Sequence, residues 1–387
     1  MPTNFDEVID RRSSSSLKWR VYDPDVLPLW VADMDFPSPE PVHAALRRCI
    51  EYGIYGYSID LPELKETICS RLAALQDWDV APDDIVLLPG LVTGLNLVCR
   101  AYGEPGDGIL VNTPVYPPFL TAPANQGKRL QCSRQSLRTD SDFLHYEIDF
   151  DSIEETINPY TRVFILCNPH NPTGRVYSRD ELFRIARICE NHDLVLCSDE
   201  IHSDLLLGSE SHLSIAAIDP AIARRCVTLL APSKTFNLPG LGCSIAVITN
   251  PELRSRFKKA ARGIVPDPNL LGMYAALAAY AECEDWRREL IEYLRENRRL
   301  VTDFVSQHLP EIRTTQPQAT YLAWLDCNNI SAGEDPAEFF LTKARVALND
   351  GREFGPGGEG FVRLNFGCPR STLREALERM DRALSSS

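Results

Sequence analysis

The sequence predicts an α/β protein in which a mainly parallel sheet is covered by helices on both faces, followed by a smaller α+β domain. Three observations carry this. Short apolar runs alternate with helical stretches from Ile85 to Ile248, and polar motifs fall directly after those runs. Beyond Pro251 the texture changes to helices, one of them long and charged, and then to a second set of strands and helices.

The totals bound the function. A chain of 387 residues can bury a large core and exceed one domain, and 44% hydrophobic with 24% charged residues is ordinary for a globular protein. With 40 basic and 54 acidic residues the formal charge is −14, which argues against a polyanion such as nucleic acid as partner. The apolar runs are short and broken by charge, so no membrane span is expected, and the N-terminus lacks the apolar core of a signal peptide. Twelve cysteines are spread through apolar segments with no CxxC pair, which suits a reduced compartment, and the cytoplasm is the expected location. Seven histidines include no HxxxH or HExxH pair, so no metal is expected.

The first 26 residues are polar and read as an arm. Leu27 to Pro39 is apolar but proline-rich, which predicts extended chain across a surface. A helix is expected from Glu40 to Tyr52, a turn at Tyr55–Ser58, and a helix over 62–76 with Leu64, Ile68, Leu72 and Leu75 on its inner face. Ile85–Leu88 then starts the strand-and-helix alternation, with a helix opening at once after Gly90. Further strands are expected at Ile109–Val111, Arg162–Cys167, Leu194–Ser198, Val227–Leu230 and Cys243–Ile248, with a helix from Arg179 to Asn191. After Pro251, helices are expected at 252–262, 269–282 and Asp285 to His308. A strand at Tyr321–Asp326, a helix at Pro336–Arg345, a Gly-rich loop at Gly351–Gly360 and a strand at Phe361–Phe366 follow. A last helix ends at Leu384, with Ser371 as its N-cap.

In such sheets ligands bind beyond the carboxyl ends of the strands. Four polar groups fall there. Gly90 opens a helix whose free amides, Leu91 and Val92, suit a phosphate. Asn171 lies in a loop fixed by two prolines and a glycine. Asp199 and His202 follow the next strand, and Lys234 follows the one after. A lysine at the mouth of a sheet can lose solvation, which frees its amine to form a Schiff base with an aldehyde. Singly each residue has a plain explanation: a cap for Asp199, a turn former for Asn171, a satisfied polar group for His202, a loop lysine for Lys234. Jointly, a carboxylate, a lysine and an anion cradle at one sheet edge suit pyridoxal 5'-phosphate, which has a protonated ring nitrogen, an aldehyde and a phosphate.

The segments LPLWVADMDFPSPEPV, YGYS, NPHNPTG, SDEIH, PSKTFN, TYLAWLD and GFVRLNFGCPRS extend this. By them the chain resembles the fold-type I pyridoxal phosphate enzymes of the aspartate aminotransferase superfamily, and within these the MalY- and PatB-type cystathionine β-lyases. The resemblance implies a pyridoxal-phosphate-dependent-transferase-like large domain with a mainly parallel seven-stranded sheet over residues 51–284. It implies a small α+β domain over 285–387, with residues 1–50 as arm and part of that small domain. It implies that Lys234 bonds the cofactor and moves the Cα proton, that Asp199 holds the ring nitrogen, that Asn171 bonds the phenolic oxygen and that Tyr116 stacks on the ring. It further implies that Arg363 clamps the substrate carboxylate and that Tyr57 reaches the phosphate of a neighbouring subunit, in a homodimer with shared sites. His202 stands where most aminotransferases have tyrosine. Two positions depart: Ala231 replaces the usual phosphate-binding serine, and Gly242 replaces an arginine that the lyase branch also lacks. Phosphate binding then falls to Leu91, Val92, Ser233 and Tyr57. The implied reaction is carbon–sulfur β-elimination from a small amino-acid substrate, with transamination or another specialised pyridoxal phosphate reaction as alternatives.

Overall fold

The computed structural model describes residues 3–139, 143–330 and 335–386. Seven strands form the main sheet: β1 (Ile85–Leu88), β2 (Gly108–Thr113), β3 (Arg129–Arg134), β4 (Thr161–Cys167), β5 (Val195–Asp199), β6 (Cys226–Leu230) and β7 (Ser244–Val247). They lie in the order β1-β7-β6-β5-β4-β2-β3. β7 runs antiparallel to both of its neighbours and every other pairing is parallel. The carboxyl ends of β1, β6, β5 and β4 therefore share one edge.

Alternate residues of each strand feed two cores, as the pleat requires. On one face Leu110, Phe164, Leu196 and Ile245 pack with Leu64 and Ile68 of the helix Pro62–Gln76 and with Leu182 and Ile185 of the helix Arg179–Asn191. On the other, Val111, Ile165, Cys197 and Leu229 pack with Leu95 and Val98 of the helix Leu91–Ala101 and with Phe257 of Pro251–Ala261. The second sheet joins β8 (Arg313–Thr314), β9 (Leu322–Asp326), β10 (Asn349–Asp350) and β11 (Phe361–Asn365) in the order β8-β9-β11-β10, all antiparallel. Its core includes Leu322, Val362 and Leu364, the helices Glu284–His308 and Arg370–Ser385, and, from the N-terminal segment, Phe5, Leu29 and Phe36.

Several expectations need correction. The N-terminal segment is no loose arm, because Phe5 is buried and Lys18, in the short helix Leu17–Arg20, is fully buried. Leu75 lies on the outer face of its helix, 46% exposed. The stretch from Tyr55 to Ser58 is irregular rather than a turn. The helix begun at Pro336 keeps α geometry only to Phe339, widens to a π-turn over Phe340–Ala344 and stops at Arg345, whose φ of 55° leaves the helical region. The Gly-rich loop contains a short 3-10 helix, Gly351–Phe354. The last helix is capped at Pro369, whose extended backbone lets its carbonyl accept from the Leu373 amide at 3.1 Å, so Ser371 lies inside the first turn. Among the described residues no helix is long and apolar enough to cross a membrane and no group of side chains could hold a metal ion.

Candidate active site

A cavity of about 230 Å³ opens at the shared carboxyl edge of the main sheet. Gly90, Leu91, Val92, Tyr116, Asn171, Asp199, His202, Ser233 and Lys234 all line it. They arrive from five strand ends: Gly90, Leu91 and Val92 after β1, Tyr116 after β2, Asn171 after β4, Asp199 and His202 at the end of β5, and Ser233 and Lys234 after β6, which explains why residues so far apart in sequence meet.

Gly90 caps the helix Leu91–Ala101 with no side-chain cap, leaving the first amides free, and a Cβ at Gly90 would meet nothing within 4 Å. Open space beside uncapped amides is what an anion needs. Asp199 ends β5 fully buried, its Oδ1 accepting from the Ile201 amide at 3.1 Å. Burial pushes its carboxyl up to about 7, against the Ile201 hydrogen bond and the charge of Lys234, which favour ionisation. A cationic ring nitrogen beside it would restore the carboxylate. Asn171 gives its side-chain oxygen to Arg363 Nη1 at 2.9 Å, so its NH₂ remains to donate to a ring oxygen. Tyr116 caps the helix Pro117–Asn125, and its amide donates to the Asn171 carbonyl at 3.1 Å. These residues fit a pyridoxal phosphate molecule.

Lys234 is half-buried, lining the cavity, and donates from Nζ to the Ala32 carbonyl at 2.6 Å. Burial first, then the Arg363 charge, lowers its amine to about 8, although Asp33 and Asp199 pull the other way. Near neutral pH a tangible fraction is therefore the free amine. His202 is held well below the usual imidazole range by burial, then by Lys234 and Arg363, and its Nδ1 has no partner within the protein.

Arg363, on β11, is held by its surroundings: Nη1 to Asn171 Oδ1, and Nη2 to the Trp30 carbonyl at 3.0 Å and to Asn349 Oδ1 at 2.5 Å. Its guanidinium lies over the Phe354 ring, 4.9 Å from the centroid. Tyr57 is not brought to this cavity; its side chain is fully exposed. Ala231 is buried and is not a lining residue. Gly242 lines the cavity with φ of 58°, and a Cβ there would sit 2.8 Å from the Pro89 carbonyl oxygen. Arginine at 242 is thus incompatible with this backbone.

Sequence reasoning missed four groups. Thr93 and Ser244 line the cavity, Asn349 holds Arg363, and Tyr321 donates its hydroxyl to the Ala32 carbonyl at 3.0 Å. Thr93 was findable, being two residues past Leu91 in the same helical turn; the others depend on chain crossings that no local pattern reports.

The model of the aminotransferase class I and II family matches residues 24–380. Cystathionine beta-lyase PatB of Bacillus subtilis (strain 168) is 38% identical over 392 residues, spanning 99% of this chain and 100% of that protein. The crystal structure of OvoB matches with a TM-score of 0.94 at 42% identity, covering 99% of this chain and 100% of the other. That of cystalysin from Treponema denticola, which contains a pyridoxal 5'-phosphate cofactor, matches with a TM-score of 0.93 at 35% identity, covering all of both chains.

Proposed function

The chain belongs to the aminotransferase class I and II family, and from that premise we propose that it is a pyridoxal 5'-phosphate-dependent carbon–sulfur β-lyase. It cleaves cystathionine or a cysteine S-conjugate to a thiol, pyruvate and ammonia. The observation that carries the reading is the convergence of Gly90, Asn171, Asp199 and Lys234 on one cavity, together with full-length similarity to a cystathionine beta-lyase.

When bound, the cofactor supplies an electron sink for the negative charge left at the substrate Cα. The residues do the rest. The amides of Leu91 and Val92, with Ser233, would hold the phosphate. Asp199 would keep the ring nitrogen protonated, Asn171 would donate to the phenolic oxygen and Tyr116 would stack on the ring. Arg363 binds the substrate carboxylate, which orients the Cα–H bond toward Lys234. Lys234, whose amine is partly free near neutral pH, takes the Cα proton. The electron pair of that C–H bond becomes the Cα–Cβ double bond as the thiolate leaves with the Cβ–S pair. The released aminoacrylate takes up water to give pyruvate and ammonia.

We further propose a homodimer in which Tyr57 completes the partner's phosphate site. Support comes from an exposed apolar run, Ile50 and Tyr52 in the last turn of the helix Glu40–Tyr52 and Ile54, Tyr55, Tyr57 and Ile59 just beyond it. The same reading divides the chain into residues 51–284 around the main sheet and 285–387 around the second, with 1–50 packed largely on the latter. Twelve free cysteines support a cytoplasmic location.

The test is incubation of the purified protein with cystathionine or a cysteine S-conjugate without any keto acid, following pyruvate and thiol. Stoichiometric release of both is expected. Amino transfer to an added keto acid, with neither product, would overturn the lyase reading.

A further inference from the structure

We propose that the N-terminal segment from Arg11 to Trp19 is a positioning element of the active site: Arg11, Lys18 and Trp19 hold Asp33 and Asp35, and so fix the Ala32 carbonyl that receives the Lys234 amine. The contacts are direct. Lys18 Nζ donates to Asp35 Oδ2 at 2.7 Å and to the Asp33 carbonyl at 3.2 Å. Trp19 Nε1 donates to Asp35 Oδ1 at 2.8 Å. Arg11 donates to Asp35 Oδ1 at 2.6 Å, to Asp33 Oδ2 at 2.8 Å and to the Met34 carbonyl at 3.1 Å. The same stretch is also gripped from the second sheet and from the loop that follows Lys234: Asn365 Nδ2 donates to the Val31 and Asp33 carbonyls at 2.6 and 2.7 Å, and Asn237 Nδ2 to the Met34 and Phe36 carbonyls, both at 2.8 Å.

Residues 30–36 are thus a strap in which the carbonyls of Trp30, Val31, Ala32, Asp33, Met34 and Phe36 each accept a side-chain hydrogen bond, and two of them face the catalytic groups. The Trp30 carbonyl receives Arg363 and the Ala32 carbonyl receives Lys234. The strap has almost no regular structure of its own to keep it in place, so its path depends on the side chains that hold it.

Burying a lysine completely is a poor way to stabilise a fold, because desolvation offsets most of the attraction and apolar residues of similar size do as well. A paired buried charge does, however, demand one geometry, and that is what the strap requires. The cluster is also coupled to the lysine electrically: the Asp33 carboxylate favours protonated Lys234, and Arg11 and Lys18 offset that charge. Releasing the clamp therefore raises the proton affinity of Lys234 in two ways, by letting water reach it and by leaving Asp33 less neutralised.

The experiment compares the full-length wild type with Lys18→Met, Lys18→Arg and Trp19→Phe, each checked for folding by circular dichroism. In the cofactor-free protein, acylation of Lys234 is followed against pH by peptide mass spectrometry, with exposed Lys258 as reference. The expected result is a midpoint for Lys234 displaced upward in Lys18→Met by at least about half a pH unit, which is roughly a twofold loss of free amine at pH 8. Trp19→Phe shifts it less in the same direction, and Lys18→Arg restores most of the wild-type value. In the loaded enzyme the acid limb of kcat, which reports the substrate complex in which the lysine amine is released, moves with it; that second readout rests on the lyase reading, the first does not, so the two fail separately. If Lys18→Met does not fold, Trp19→Phe alone decides. A wild-type midpoint in Trp19→Phe and in any folded Lys18→Met overturns the proposal.

Discussion

Replacing Arg363 by lysine probes the substrate clamp. The guanidinium makes three hydrogen bonds from two nitrogens, to Asn171 Oδ1, the Trp30 carbonyl and Asn349 Oδ1, and it is 4% exposed. A single ammonium on a shorter stem cannot span these partners, and it cannot grip a carboxylate with a planar fork. Losing two charge-assisted hydrogen bonds at roughly 1.5 to 3 kcal/mol each removes about 3 to 6 kcal/mol. Part of that falls on folding, so the loss expected in kcat/KM is about 10²-fold or more. The assay is pyruvate release from a cysteine S-conjugate, paired with thiol release from the corresponding decarboxylated amine. The carboxylate substrate should suffer the full loss and the amine little beyond its already poor rate. Equal losses for both, or a loss under about tenfold for the acid, would refute the assignment of Arg363 as the carboxylate clamp.

Gly242→Ala should weaken cofactor binding and lower stability by about 1 to 2 kcal/mol from the left-handed backbone alone, since the new methyl also presses on the Pro89 carbonyl beside the phosphate cradle; equilibrium dialysis and thermal melts read both. In the cofactor-free protein the lowered Lys234 amine binds fewer protons folded than unfolded between about pH 8 and its ordinary 10.5. Stability should therefore rise with pH across that window, and Lys234→Met, by urea titration, should lack this rise. Glu200, fully buried behind Asp199, accepts from Ser198 and Ser214 and meets His212 Nε2 at 2.8 Å. His212→Ala leaves Glu200 Oε2 without its partner and should cost about 1 to 3 kcal/mol, seen as a lower melting midpoint.

The large sheet was legible because its strands are buried on both faces: Ile85–Leu88, Thr161–Cys167 and Cys226–Leu230 are nearly continuous apolar runs. β3 escaped because it is an edge strand, and Arg129, Leu130 and Arg134 lie exposed on it. The helix Pro117–Asn125 escaped because its three prolines argue against helix, although two of them occupy its first turn, where no N–H is needed. At the site, strand ends announced Asn171, Asp199 and Lys234. The Ala32 carbonyl that holds Lys234, and the Asn349 amide that holds Arg363, come from sequence-distant loops without a motif. The polar arm misled for a related reason: Lys18 is buried by partners 15 and 17 residues away, at Asp33 and Asp35, and composition alone cannot report that pairing.

Borohydride reduction of the pyridoxal-phosphate-loaded protein, followed by peptide mass mapping, tests most directly whether the strand-end lysine carries the chemistry. The predicted result is a single stable pyridoxyl adduct, on Lys234, and its disappearance in Lys234→Ala. An adduct on another lysine, or none on any, would contradict it.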